Sequence, residues 1–219
     1  MNARTDEQPW QEVLRFWFPE ERSLEIDPDT HQDHWFWRMR GGADSDIIAR
    51  FSDLTAQAAA GELDHWADNP EGRLALIIVL DQFSRSVWRN RRRAFAQDPA
   101  ALALSMEGLS NGDYAALPLP WLKIVYGLPL GHCEGPDLLD RLDLLIRLRE
   151  EIAVEAPTQL QPIYYSLVKQ ARDVKEVIAA FGRHPHRNEV LGRQSTPAEE
   201  TYIAEGRFPH LRAFQGFRR

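Results

Sequence analysis

"QPIYYSLVKQARDVKEVIAAFG", from Gln161 to Gly182, decides the fold class. Ile163, Leu167, Ala171, Val174, Ile178 and Phe181 recur every three or four residues, the spacing that gives a helix one apolar face. Gly182 then stops the run, as a residue that turns left-handed without strain does just past a helix C-terminus. The spacing predicts a helix over 160–181.

The same signals recur on both sides of that helix. "NPEGRLAL" at Asn69, "DPAALAL" at Asp98, "GPDLLDRL" at Gly135 and "TPAEETYI" at Thr196 each set a small residue and a proline before an apolar periodic run. This is the punctuation of a helix start, and Thr196 with Glu199 adds capping-box spacing. Trp10, Val13, Leu14 and Trp17 form a buried stripe that predicts a helix over 9–18. Thr30 is read as the cap of a short helix carrying "HWFWRM", and Ile47, Phe51, Leu54 and Ala58 mark another over 44–60, ended by Gly61. Further helices are predicted over 70–90, 98–111, 119–127, 136–154 and 196–205. No stretch alternates as a strand does. Helices joined by a few residues fold back on one another, so the expected fold is all-α, with antiparallel helix pairs stacked in a degenerate tetratricopeptide-like array. "AFAQDPAALALSMEGLSNGDYAALP" carries the Ala-Phe, Asp-Pro and Ala-Leu spacing of such a repeat. Residues 1–206 are expected to form one helical domain. The basic aromatic tail 207–219, "RFPHLRAFQGFRR", shows no helix pattern and reads as a docked strap or a loose end.

The composition limits the function. The 219 residues carry a formal net charge of −7, so the molecule repels a phosphate backbone and nucleic acid is not an expected partner. The lone cysteine, Cys133, excludes an internal disulfide and a multi-cysteine zinc site, which fits a cytoplasmic location. The longest apolar run, "LALIIVL" from Leu74 to Leu80, is too short to span a bilayer, and "MNARTDEQPW" lacks the core of a signal peptide. No membrane role is expected. Trp35, Phe36 and Trp37 serve either a homodimer surface or a core helix, and the sequence leaves both open.

The side chains that could carry chemistry fall into three groups. Asp81, Gln82 and Arg85 follow the apolar run of a helix that must be central, and Asp81 and Arg85 stand at i, i+4. His132 and Glu134 lie on "PLGHCEGP", which proline and glycine predict to be a loop. Their spacing is no known ligand signature, and no metal or cofactor is expected. Cys133 reads as a small buried hydrophobe sooner than as a nucleophile. The third group is the hook "GRHPHRNEVLGR", with Arg183, His186, Arg187, Asn188 and Arg193. Pro185 forces His184 out of the helical conformation, so the chain is expected to leave the long helix extended and to re-enter a helix at Pro197.

"LDQFSRSVWRNRRRAFAQDPAALALS", "GLPLGHCEGPDL" and "FGRHPHRNEVLGRQSTPAEE" together resemble the bacterial family catalogued as domain of unknown function 924, over about residues 10–205. The resemblance implies an all-helical, tetratricopeptide-like fold and no assigned reaction. It also marks departures: the family typically reads Pro-Arg-Asn at Ser84, Arg85 and Ser86, and His-Ser-Glu-Asp at residues 132–135. Val174 stands where the family often has histidine.

Two readings of the hook follow. In one it is a buckle: Arg183 and His184 satisfy the end of the long helix, and Arg187 and Arg193 reach Asp81 or Glu134. In the other, arginines in excess of their acidic partners line a groove and hold an anion. At the level of function these become a binding or scaffold protein for a small anion or acidic peptide, and an enzyme acting on a phosphorylated or carboxylated metabolite. In the enzyme, His186 or His132 would be the acid-base group and Glu134 or Asp81 the orienting carboxylate.

Overall fold

A computed structural model of the chain describes residues 8–19 and 25–212. The described residues are helical, with no strand among them. In chain order the helices are α1 (Pro9–Trp17), α2 (Pro28–Met39), α3 (Asp44–Ala59), α4 (Pro70–Ile78), α5 (Ser84–Val87), α6 (Asp98–Asn111), α7 (Asp113–Ala116), α8 (Pro120–Tyr126), α9 (Leu128–His132), α10 (Leu138–Glu155), α11 (Gln161–Phe181), α12 (Asn188–Leu191), α13 (Pro197–Glu205) and α14 (Pro209–Arg212). Between α4 and α5, Val79–Phe83 form a π-helical segment, so the central helix carries one wide turn rather than ending.

α4 is the axis of the core. Leu74, Ala75, Leu76, Ile77, Ile78 and Val79 are all fully buried, which accounts for an apolar run with no polar face. Burial of each large side chain contributes about 1.5–3 kcal/mol. α1, α3, α6 and α8 pack around this axis, and α10 and α11 form an antiparallel hairpin beside it. The tryptophan-rich α2 resolves toward the core: Trp35 is buried, and Phe36 and Trp37 pack against the main cluster.

Several local expectations need correcting. Asp27, not Thr30, caps α2, because its side chain accepts the Thr30 amide hydrogen bond at 2.9 Å; the Asp-Pro pair is the true start signal. Asn69 and Thr196 cap as expected. Asp98 lies inside the first turn of α6 and caps nothing. The predicted loop at "PLGHCEGP" begins as helix α9, whose last residue is His132. The hook is not extended throughout either. His184 is extended, with φ −87° and ψ 101°, but a 3-10 turn over Pro185–Arg187 and α12 follow before Thr196. Gly182, at φ 69°, closes α11 by donating its amide to the Ile178 carbonyl at 2.7 Å. Of the tail, Pro209–Arg212 form one helical turn against α11, with Pro209 buried; residues 213–219 lie outside the described part.

Candidate functional site

The π segment determines where Asp81 points. An extra residue in the helical ladder widens one turn and re-aims the side chains within it, and here Asp81 is turned inward and is 0 % exposed. Both of its carboxylate oxygens lie 2.9 Å from His132 Nδ1. Arg85 approaches Asp81 Oδ1 at 3.2 Å and also donates to the Asp81 carbonyl. Gln82 donates its amide to the same carboxylate. Burial pushes the Asp81 carboxyl up, but the charges of Arg85 and His132 and the hydrogen bonds of His132 and Gln82 outweigh it, so the group stays well below the ordinary aspartate value. An ionised carboxylate only accepts hydrogen bonds, so His132 must carry a proton on Nδ1. Nε2 has no protein partner among the described residues, and the ring lines a cavity.

Asp98, which the sequence presented as a helix-start residue, completes the constellation. Arg85 reaches it at 2.9 Å and Arg187 at 3.1 Å, and Arg187 also donates to the His132 carbonyl at 2.8 Å. His132 is therefore held at its ring by Asp81 and at its backbone by Arg187. Phe95 lies against both guanidinium groups, 5.5 Å from Arg85 and 4.6 Å from Arg187. Asp98 was missed because the sequence pattern already gave it a job as a cap.

The residues named from sequence separate into two sets. Gln82, Arg85, His132, His186 and Arg187 line the cavity, with Asp81 directly behind His132. Glu134, Arg183, Asn188 and Arg193 form the fastening of the hook. Arg193 pairs with Glu134 and donates to the His184 carbonyl at 3.0 Å. The same glutamate accepts the His184 amide hydrogen bond at 2.8 Å. Arg183 binds Glu199 at 2.7 Å and the Gln194 carbonyl at 3.0 Å instead of the end of α11. Asn188, buried, donates to Ser195 Oγ at 2.9 Å, and His184 Nε2 donates to the Gly131 carbonyl at 2.9 Å. Arg187 pairs with Asp98 rather than with Asp81 or Glu134. The partners expected for the hook, Asp81 and Glu134, are thus joined by Asp98 and Glu199, and the apparent excess of arginine disappears.

The cavity has a volume of about 450 Å³, the size of a small-molecule pocket. Its walls include Trp17, Trp35, Leu128, Leu142, Leu145, Ala171 and Val174, and its polar lining includes His132, His186, Arg187, Arg149 and Gln170. Burial first, then the neighbouring His210 and Arg187, push the His186 imidazole down to about 3. Cys133 is buried and its thiol is pushed up by that burial, so it lacks the thiolate character of a nucleophile. Among the described residues no group of three or more His, Cys, Asp or Glu side chains is placed to hold a metal ion. No helix there is long and apolar enough to cross a membrane.

The family of bacterial proteins of unknown function, DUF924, matches residues 13–207. The chain belongs to this family. A solved structure of a protein of unknown function from Agrobacterium tumefaciens is similar to it, at 28% sequence identity over 90% of this chain and 97% of that one, with a TM-score of 0.65. No curated protein matches. Ser84 and Ser86 both fall beside the site: Ser84 Oγ lies 3.5 Å from the Val79 carbonyl of the π segment, and Ser86 Oγ donates to Asp44 at 2.7 Å on the cavity wall. Val174 is in the apolar wall.

Proposed function

We propose that this DUF924 chain is an enzyme that moves a proton on a small substrate, with His132 as the general base and Asp81 as the carboxylate that orients it. The observation that carries this reading is the contact of His132 Nδ1 with both oxygens of a buried, ionised aspartate while the rest of the ring lines the cavity. A carboxylate in that position fixes the tautomer and stabilises the imidazolium formed when Nε2 takes a proton. Arg187 sets the backbone of His132, and Arg85 keeps Asp81 ionised. Location in a π segment adds support, since such bulges occur often at functional sites.

The other reading is a binding or scaffold protein whose groove takes a small anion or an acidic peptide end. It draws on Arg85 and Arg187 at the cavity wall, but both already hold carboxylates of their own chain, and a ligand would have to compete with Asp81 and Asp98.

Proton NMR in D2O against a panel of small carboxylic acids, esters and phosphoesters reads both hydrolysis and exchange of carbon-bound protons. His132→Gln, whose ring is 29% exposed, should leave the fold intact and lower turnover about 10²–10⁴-fold, the usual contribution of a positioned base. Turnover within a few-fold of wild type in that variant would remove His132 from the chemistry.

A further inference from the structure

The cavity wall carries a further charged group that the Asp81–His132 pair does not use. Arg149 stands seven residues beyond Leu142 on α10, about 10 Å along the axis at the rise of an α-helix. It lines the cavity and is 4 % exposed. Nη1 donates to the Leu167 carbonyl at 2.7 Å and to Gln170 Oε1 at 3.3 Å, and Nε has no partner among the described residues. Three other buried arginines, Arg73, Arg141 and Arg187, each hold a carboxylate; among the described residues no carboxylate pairs with Arg149. Burial alone pushes its guanidinium down to about 10, which leaves it charged at neutral pH.

Such an arrangement is costly for a fold. Burying a cation without its counter-ion costs several kcal/mol, and the Leu167 carbonyl lies inside α11, where the amide one turn on already serves it. The two bonds from Arg149 join α10 to α11 but leave the charge without a counter-ion among the described residues. The wall that Arg149 shares includes Leu142 and Leu145 of α10, Ala171 and Val174 of α11 and Trp35 of α2. Those side chains favour an apolar body. A single guanidinium also matches a monoanion better than a phosphate dianion in surroundings this dry.

We propose that Arg149 anchors the ligand of this cavity, and that the ligand is an amphipathic monocarboxylate: its carboxylate lies on Arg149, its apolar body along Leu142, Leu145 and Val174, and its opposite end at His132. The identification of that ligand as a substrate rests on the proton-transfer reading. The anchoring itself is an equilibrium property and is tested separately.

Octanoate, a monocarboxylate with an apolar chain, is titrated into the full chain beside its neutral and cationic counterparts octan-1-ol and octylamine. Fluorescence of Trp17 and Trp35, both in the wall, reports binding. Octanoate is expected to bind and octylamine to be rejected. Arg149→Met is expected to melt at the same temperature as wild type or higher, to lose at least tenfold in octanoate affinity and to keep its affinity for octan-1-ol. Should that variant not melt cooperatively, Arg149→Lys, which keeps the charge but not the planar fork, takes its place with a smaller loss expected, and the carboxylate-against-amine comparison on wild type needs no variant. Absence of octanoate binding at millimolar concentration, equal binding of octylamine, or an Arg149→Met variant that binds octanoate as wild type does would each overturn the proposal. Unaltered turnover in His132→Gln with the Arg149 pattern intact would defeat the proton-transfer reading and leave the anchor standing; the reverse pattern would defeat the anchor alone.

Discussion

Asp81 and Asp98 face the same guanidinium, and their carboxyl groups respond in opposite directions. Asp81 is held well below its ordinary value, because Arg85, His132 and Gln82 together outweigh burial. Asp98 is raised, because burial and the charge of Asp81 outweigh Arg85 and Arg187. Relative to the unfolded chain, folding stabilises the ionised form at residue 81 and penalises it at residue 98, so the neutral isosteres should differ in cost. Asp81→Asn is expected to destabilise the chain by about 3–5 kcal/mol, the usual result of removing one partner of a buried charge pair, and Asp98→Asn by clearly less. Urea denaturation of the two variants checks the order, and equal losses would contradict the charge assignment. The sequence made Asp81 and Arg85 legible through their i, i+4 spacing after an apolar run. It concealed Asp98 behind a cap pattern. Arg149 left a readable trace: it occupies the apolar stripe of Leu138, Leu142, Leu145 and Ile152 on α10, where an arginine breaks the period.

The hook is the element on which the sequence readings disagreed most, and its structure is mainly that of a fastening. Arg183, Arg187 and Arg193 each hold a carboxylate, on α13, α6 and the segment after α9 respectively. Periodicity could not reveal this, since partners 16, 89 and 59 residues away are brought together only by the tertiary fold. The hook also makes stability depend on pH. Burial, then Arg187 and His186, lower His184 well below its ordinary value, and His186 is at about 3, with His210, His132 and Arg193 also facing it. In the unfolded chain both histidines take protons near pH 6.5. Below that pH the unfolded state binds protons that the folded state does not, so stability is full above about 6.5 and declines as pH falls toward the folded values. Each histidine contributes a slope of at most about 1.4 kcal/mol per pH unit. Thermal melts between pH 7 and 5 should show this decline, shallower in His186→Gln than in wild type. Glu199 does not confuse the comparison: the hydrogen bond from Arg183 holds it to about 2, so its stabilising effect is lost only at lower pH.

For the molecule as a whole, the all-helical class followed from the apolar stripes of α1, α3 and α11 and from the prolines that open α4, α6 and α13, because local periodicity and local capping are written in consecutive residues. The cavity was not legible. It forms where α2, the π segment, α9 and the α10–α11 hairpin meet, and neither the widened turn at Val79–Phe83 nor the meeting of Asp81 with a residue 51 positions away leaves a mark in one sequence. What unites the site is the orientation of one imidazole. Long-range proton–nitrogen NMR of the histidine rings, taken at alkaline pH where they are neutral and assigned with His132→Gln, reads that orientation without knowledge of any substrate. A histidine free in water favours the proton on Nε2. The expected result is a His132 ring protonated on Nδ1 with Nε2 bare toward the cavity; a ring carrying its proton on Nε2 would mean that Asp81 does not orient a base there.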